Sequence, residues 1–114
     1  MSAIQADFTV ANNETWSLSF TWPGVDLTGH TLKMQARDPA NLGNVVVELS
    51  TDNERLVITD AAGGVWALNL PAPAAAAIAA GSYAYDVLDY LANDPRVWRR
   101  QVGTVTVEQG VTVR

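Results

Sequence analysis

Residues 15–22 read TWSLSFTW, and their alternation decides the class of the fold. Side chains of an extended chain point to opposite faces in turn, so Trp16, Leu18, Phe20 and Trp22 share one face while Thr15, Ser17, Ser19 and Thr21 share the other. Aromatic bulk on one side and hydroxyls on the other describe a half-buried strand. Pro23-Gly24 ends it. After VDLTG (25–29) the same period returns, with Leu32, Met34 and Ala36 inward and Thr31, Lys33, Gln35 and Arg37 outward, until Asp38-Pro39 closes that strand.

Outward from these two strands the pattern continues. Short β runs occupy 5–10, 44–49 (NVVVEL), 55–59 (RLVIT) and 64–70 (GVWALNL), with STDNE and DAAGG as turn chemistry between the last three. PAPAAAAIAAG (71–81) differs in kind: proline opens it, alanine fills it and glycine stops it, so the spacing predicts a short helical turn near 72–80 that seats Ile78. Strands at 82–90 and 96–107 follow, joined across ANDP. In the last strand Val102 is out of phase with Val105 and Val107, and a β-bulge at Gly103 would bring all three to one face.

The chain of 114 residues corresponds to one domain spanning 1–114, large enough to bury roughly two-thirds of the surface its unfolded form exposes. It contains no cysteine, which removes disulfides, thiolate metal sites and a cysteine nucleophile. Residues 1–15 lack the basic start and apolar run of a signal peptide, and no stretch approaches the ~20 apolar residues of a membrane span. Twelve acidic against seven basic side chains, net −5, argue against nucleic-acid binding, which depends on neutralising phosphates.

About eight short strands with turn signals between them and one helical hint describe an all-β protein, an antiparallel β-sandwich. AAGSYAY (79–85) narrows the class to an immunoglobulin-like sandwich. In such domains a tyrosine at the start of the penultimate strand returns its hydroxyl to the preceding corner, two residues before a buried position. Tyr83 is the expected corner and Tyr85 the buried residue; Trp16, Phe20 and Trp66 complete the expected structural set.

Catalytic groupings do not assemble from this sequence. Asp86 and Asp89 in GSYAYDVLDY (81–90) have opposite parity and do not converge, which removes the paired acids of a glycosidase. Asp86 is expected on the outer face opposite Lys33 or Arg37, and Asp89 where the strand leaves the core. His30, the single histidine, reads as a turn residue in TGHT. TDNE (51–54) offers oxygen ligands without the glycine and terminal glutamate of an EF-hand loop, and AAGG precedes a strand and carries no lysine, unlike a phosphate loop. The expectation is a protein that is not an enzyme and has no cofactor and no metal. One cluster stands out: DPRVWRR (94–100) gathers Arg96, Arg99 and Arg100 around Trp98, the residue types most enriched at binding hot spots, with ordinary solvated arginines around a core tryptophan as the other reading.

The order of DFTV (7–10), the strand around Trp16, VDLTGHTLKMQARD (25–38), VVVELST (45–51), AAGSYAYDV (79–87) and GTVTVEQGVTVR (103–114) resembles small bacteriophage tail and baseplate proteins, in particular the immunoglobulin-like N-terminal domain of the baseplate upper protein family. The resemblance covers nearly the whole chain. It implies a non-enzymatic virion structural protein, a tail or baseplate adaptor or fibre-attachment subunit made in the bacterial host cytoplasm, and a scaffold role for the tyrosine–aspartate run. Ending at Arg114 without a receptor-binding part, the chain is expected to be a stand-alone adaptor or decoration subunit. Expected partners are other phage tail or baseplate proteins and copies of itself, as a trimer or hexamer in the particle, with no nucleic acid and no membrane. Loops 38–44 and 91–96 and residues 1–6 are the expected contact segments, with Asn41, Asn93, Asp94, Arg96, Trp98, Arg99 and Arg100 as interface residues. The alternatives are a carbohydrate-binding β-sandwich, which needs aromatics exposed on a common face, and a capsid decoration protein.

Overall fold

Alternation carries through to the structure as two packed sheets. A computed structural model of the chain describes residues 3–113. In chain order the elements are β1 (Ile4–Gln5), β2 (Phe8–Ala11), β3 (Ser19–Thr21), β4 (His30–Asp38), β5 (Asn41–Ser50), β6 (Leu56–Asp60), β7 (Val65–Leu68), α1 (Ala72–Ala75), β8 (Gly81–Leu91) and β9 (Val97–Glu108). The larger sheet runs β1-β9-β8-β4-β5, with β2 continuing β1 along β9, and the smaller one runs β3-β7-β6. A sheet built on β9, β8 and β4 and extended by β5, facing a sheet of β3, β7 and β6, is the arrangement of a variable-type immunoglobulin domain.

The expected all-antiparallel pairing is corrected at the N-terminus. The predicted first strand is two pieces, and both run parallel to β9, with Ile4 opposite Gln101 and Phe8 opposite Val105. Gly103 explains the break between them. A Cβ there would collide with the Ala6 carbonyl, and Asp7 Oδ1 takes the Thr104 N–H at 2.9 Å in place of a ladder partner. The bulge placed at Gly103 belongs instead to Arg100: Val87 pairs with Gln101 and Leu88 with Arg99, which leaves Arg100 as the extra residue. Gln101, Val105 and Val107 are therefore buried, and Val102 is only half-buried.

Segment 38–44 is not a loop either. β4 and β5 join through Pro39 and Ala40 alone, the Ala40 N–H donating to Asp38 Oδ1 at 2.9 Å, and β5 carries its surplus residues as register shifts. The helical turn is where the alanines place it, crossing from the smaller sheet to the larger, and Ala75 and Ile78 are buried beneath it.

Across the core an aromatic string ties sheet to sheet where a disulfide would serve in an antibody domain. Tyr85 meets Phe8 edge-on at 5.3 Å, Phe8 lies 5.7 Å from Phe20, Phe20 stacks on Trp66 at 4.8 Å, and Trp66 lies 5.1 Å from Trp22. Beside it runs a polar chain: Trp22 Nε1 donates to Gln101 Oε1, Gln101 Nε2 donates to the Tyr85 hydroxyl, and that hydroxyl donates to the Ala6 carbonyl. Trp16, Trp66 and Tyr85 are buried as expected, whereas Phe20 and Tyr83 are half-buried against the core rather than within it.

Candidate functional site

The cluster 94–100 occupies the start of β9 and the loop before it. Asn93 turns that loop with φ of 66°, a conformation that asparagine tolerates better than most residues. Asp94 then folds back on Arg96: Oδ1 accepts from the Arg96 backbone N–H at 2.9 Å, and Oδ2 accepts from Nη2 at 2.8 Å. Those guanidinium contacts, followed by the backbone one, hold the Asp94 carboxyl down at about 2. The same carboxylate raises Arg96 above its ordinary value.

Pairing extends to all three arginines. Arg99 Nε donates to Asp86 Oδ2 at 3.0 Å on the outer face of the sheet. Arg100 Nε donates to Asp89 Oδ2 at 2.9 Å. The basic cluster read from the sequence is thus a set of ion pairs, each arginine facing an aspartate. Asp86 is on the outer face as expected, but its partner is Arg99 and its neighbour on β4 is Gln35, not Lys33 or Arg37.

Asp89 is the correction with the largest consequence. It does not leave the core: its side chain is 0% exposed, on the inner face with Tyr85 and Val87. His30, expected in a turn, is instead the first residue of β4, and its Nδ1 meets Asp89 Oδ1 at 2.5 Å. Both carboxylate oxygens are therefore occupied, one by imidazole and one by guanidinium, as burial of a charge demands. Over this pair lies Trp98, neither core nor free. His30 stacks along it at 6.2 Å and 15°, and the guanidinium carbons of Arg96 and Arg100 lie 5.4 and 5.1 Å from its ring.

The structure brings Asn93, Asp94, Arg96, Trp98 and Arg100 to one end of the sandwich, with Arg99 turned to the adjacent outer face. Asn41 is not among them. It pairs with Asp38 at the far end of β4, whereas His30 at the near end pairs with Leu91, so the expected interface residues do not form one patch. Residues 1 and 2 of the expected N-terminal contact segment lie outside the described residues. Missing from the sequence reading were His30 and Asp89 as partners. A signal existed: each shares parity with buried neighbours, Leu32 and Met34 for one and Tyr85 and Val87 for the other, and a charge at inward parity demands a partner.

At the opposite end the corner tyrosine is in place, its hydroxyl donating to the Ala79 carbonyl at 2.6 Å. In TDNE the Asn53 carboxamide oxygen takes the Ser50 and Arg55 N–H groups, so it organises the turn. Among the described residues no three or more His, Asp or Glu side chains gather as metal ligands would.

Neither a family model nor a curated protein matches the chain. Among solved structures, a crystal structure of a chicken T-cell receptor superposes with a TM-score of 0.60 over 95% of this chain, at 13% identity. The chain spans about half of that receptor chain, 56% of its length. At this identity the likeness shows the fold, an immunoglobulin-like β-sandwich.

Proposed function

We propose that this protein is a non-enzymatic structural subunit of a bacteriophage particle, of the tail or baseplate, that works through protein–protein contacts with other tail proteins and with copies of itself. Two things support the reading. One is the resemblance of its order of sequence motifs to that of the baseplate family. The other, which carries the choice between protein and carbohydrate partners, is the fate of the tryptophans. Trp16, Trp22 and Trp66 are sealed in the core, and Trp98 has His30, Arg96 and Arg100 packed about its ring. A sugar-binding sandwich needs flat aromatic faces open to solvent. Exposed apolar side chains here are aliphatic instead, Ile4 and Val97 close to the paired arginines and Leu42 and Val45 on the hairpin of β4 and β5.

Particles purified from cells infected by a phage encoding this protein test the proposal. Mass spectrometry should find the chain in them at a stoichiometry matching a ring or trimer. Recovery only outside particles would overturn the reading. The variant for locating the contact is Arg96→Ala with Arg99→Ala, because both arginines are exposed. Arg100 is excluded from that variant because its removal would strand Asp89. Loss of incorporation with an unchanged melting temperature is expected.

A further inference from the structure

β5 is the last strand of the larger sheet, and β4 is its one strand partner among the described residues. The chain ends do not reach its open edge. Residues 1 and 2 precede β1 at the opposite margin of that sheet, four strand spacings or roughly 19 Å away, and two residues extend at most about 7 Å. A single residue beyond Val113 does not reach it either, because the Thr112 carbonyl accepts from Asn13 Nδ2 next to β2, on the β9 side. Sheets blunt an open edge with lysine, proline or an inward charge. The stretch 41–47, NLGNVVV, contains none of the three. Its irregular register, with Val46 surplus and 42–44 without counterparts on β4, leaves apolar groups in water: Leu42 is 59% and Val45 41% exposed.

Charge selects the occupant of this edge. Along the outer face of β4 and β5 runs a row of side chains. Glu48 Oε1 accepts from Gln35 Nε2 at 2.6 Å, Gln35 Oε1 accepts from Arg37 Nη2 at 2.6 Å, and Arg37 Nη1 donates to the Leu42 carbonyl at 2.6 Å. The row thus has a cation at the hairpin end, an anion at the other and a neutral amide between. Among the described residues neither Arg37 nor Glu48 has an ion-pair partner, whereas His30, Arg96, Arg99 and Arg100 each face an aspartate. Arg55 reaches the Glu48 backbone carbonyl, not its carboxylate.

An edge that is basic at one end and acidic at the other is complementary to its own antiparallel copy. With a two-fold axis at Val45, Glu48 of a second copy falls opposite Leu42, where Arg37 is held, and the symmetric pair forms on the far side of the axis. Leu42 and Val45 of both copies then meet between the two ion pairs. A copy laid parallel would set arginine against arginine. The backbone agrees with this centre: the Glu48 carbonyl takes Asn53 Nδ2 and Arg55 Nη1, and the Ser50 N–H is held by Asn53 Oδ1, while 44–47 bonds no side chain among the described residues. We propose that β5 is a self-association edge, on which two copies of this chain meet antiparallel about a two-fold axis at Val45, with Arg37 of each against Glu48 of the other. The proposal rests on the reading of the protein as a module that contacts copies of itself, and it names the surface. Such a contact pairs subunits, so in a particle it links two rings or closes an even-numbered one.

Sedimentation equilibrium of the intact protein is the test. A small edge contact is weak, so the wild type should dimerise with a Kd between about 10 µM and 1 mM, and less tightly as salt is raised. Arg37→Glu and Glu48→Arg each place like charges at both contacts, and each should weaken the dimer by roughly tenfold or more. Mixed in equal amounts, the two variants should associate as the wild type does, because both contacts of the mixed dimer are then opposite in sign. Amide exchange at 44–47 should slow as wild-type concentration rises. If a charge variant fails to fold, Leu42→Asp at that exposed position and the exchange at 44–47 decide: the variant should stay monomeric with an unchanged melting temperature. A wild type monomeric at about 1 mM, a dimer indifferent to these variants, a mixture that does not restore association, or exchange that slows elsewhere and not at 44–47 would overturn the proposal. A monomer leaves particle incorporation to be judged separately, and a dimer of this kind whose chain is absent from particles would sink the phage reading while the edge stands.

Discussion

Asp89 shows how one residue's burial binds three distant parts of the chain. A carboxylate removed from water is tolerable only when its lone pairs are engaged, and here His30 and Arg100 engage both oxygens. Asp89→Ala would leave a guanidinium and an imidazole facing apolar surroundings, and should cost about 3–5 kcal/mol in urea denaturation. A loss within the range of exposed pairs, ~0–1 kcal/mol, would mean that water reaches the site. Asp94 gives the exposed counterpart. Its carboxyl is held at about 2, below the ~3.9 of an unfolded chain. Because the folded value is the lower one, the Asp94–Arg96 pairing favours the ordered loop at pH above the unfolded value. That contribution fades as pH falls toward 2. Carboxyl NMR should find the Asp94 midpoint well below the ordinary carboxylate value, and Arg96→Ala should raise it.

At the level of elements, two joints hold strands in place. The first is Gly103, where the jog between β1 and β2 comes against β9 and leaves no room for a side chain. Gly103→Ala should push that jog away, lower stability by about 1–3 kcal/mol and remove the hydrogen-exchange protection of the Thr104 amide, whose acceptor is Asp7. Retained protection would show that the N-terminal strands yield without detaching. The second joint is the Tyr83 corner, which ties the start of β8 to the end of the helical segment through the Ala79 carbonyl. Tyr83→Phe keeps the ring and loses the bond, so thermal denaturation should report a native fold weakened by about 0.5–1.5 kcal/mol. A neutral result would reduce the corner to packing alone.

For the whole molecule the question is what joins two sheets in a chain without cysteine. The aromatic string supplies area, and the chain from Trp22 through Gln101 and Tyr85 to Ala6 supplies direction, since each donor in it has one defined acceptor. Gln101→Ala would strand the Trp22 N–H in the core and leave the Tyr85 hydroxyl with a single partner. It should cost about 1–3 kcal/mol for the unmade hydrogen bonds, beyond the small loss of packing. Chemical denaturation of Gln101→Ala beside Gln101→Met, which keeps the volume and loses the amide, separates lost packing from lost bonding. If both variants match the wild type, the polar chain has no part in joining the sheets.

Local rules were enough for much of this architecture. Strand faces at 31–37 and 83–87, the alanine-rich turn over Ile78 and the Tyr83 corner all follow from side-chain direction, propensity or a bond four residues long. Each is settled by atoms close in sequence, which is why they could be read from residues alone. Chain-wide pairing decided the rest. That β1 and β2 run parallel to β9, that Arg100 rather than Gly103 is the surplus residue, and that β5 begins at Asn41 all depend on register between segments far apart. The site belongs wholly to this second class. His30 and Asp89 are 59 residues apart, and they meet because the β4–β8 register sets His30 against Leu91 while the bulge at Arg100 turns its guanidinium inward. Parity could say that a charge faced the core; only the packed sheets could say which partners would meet it there.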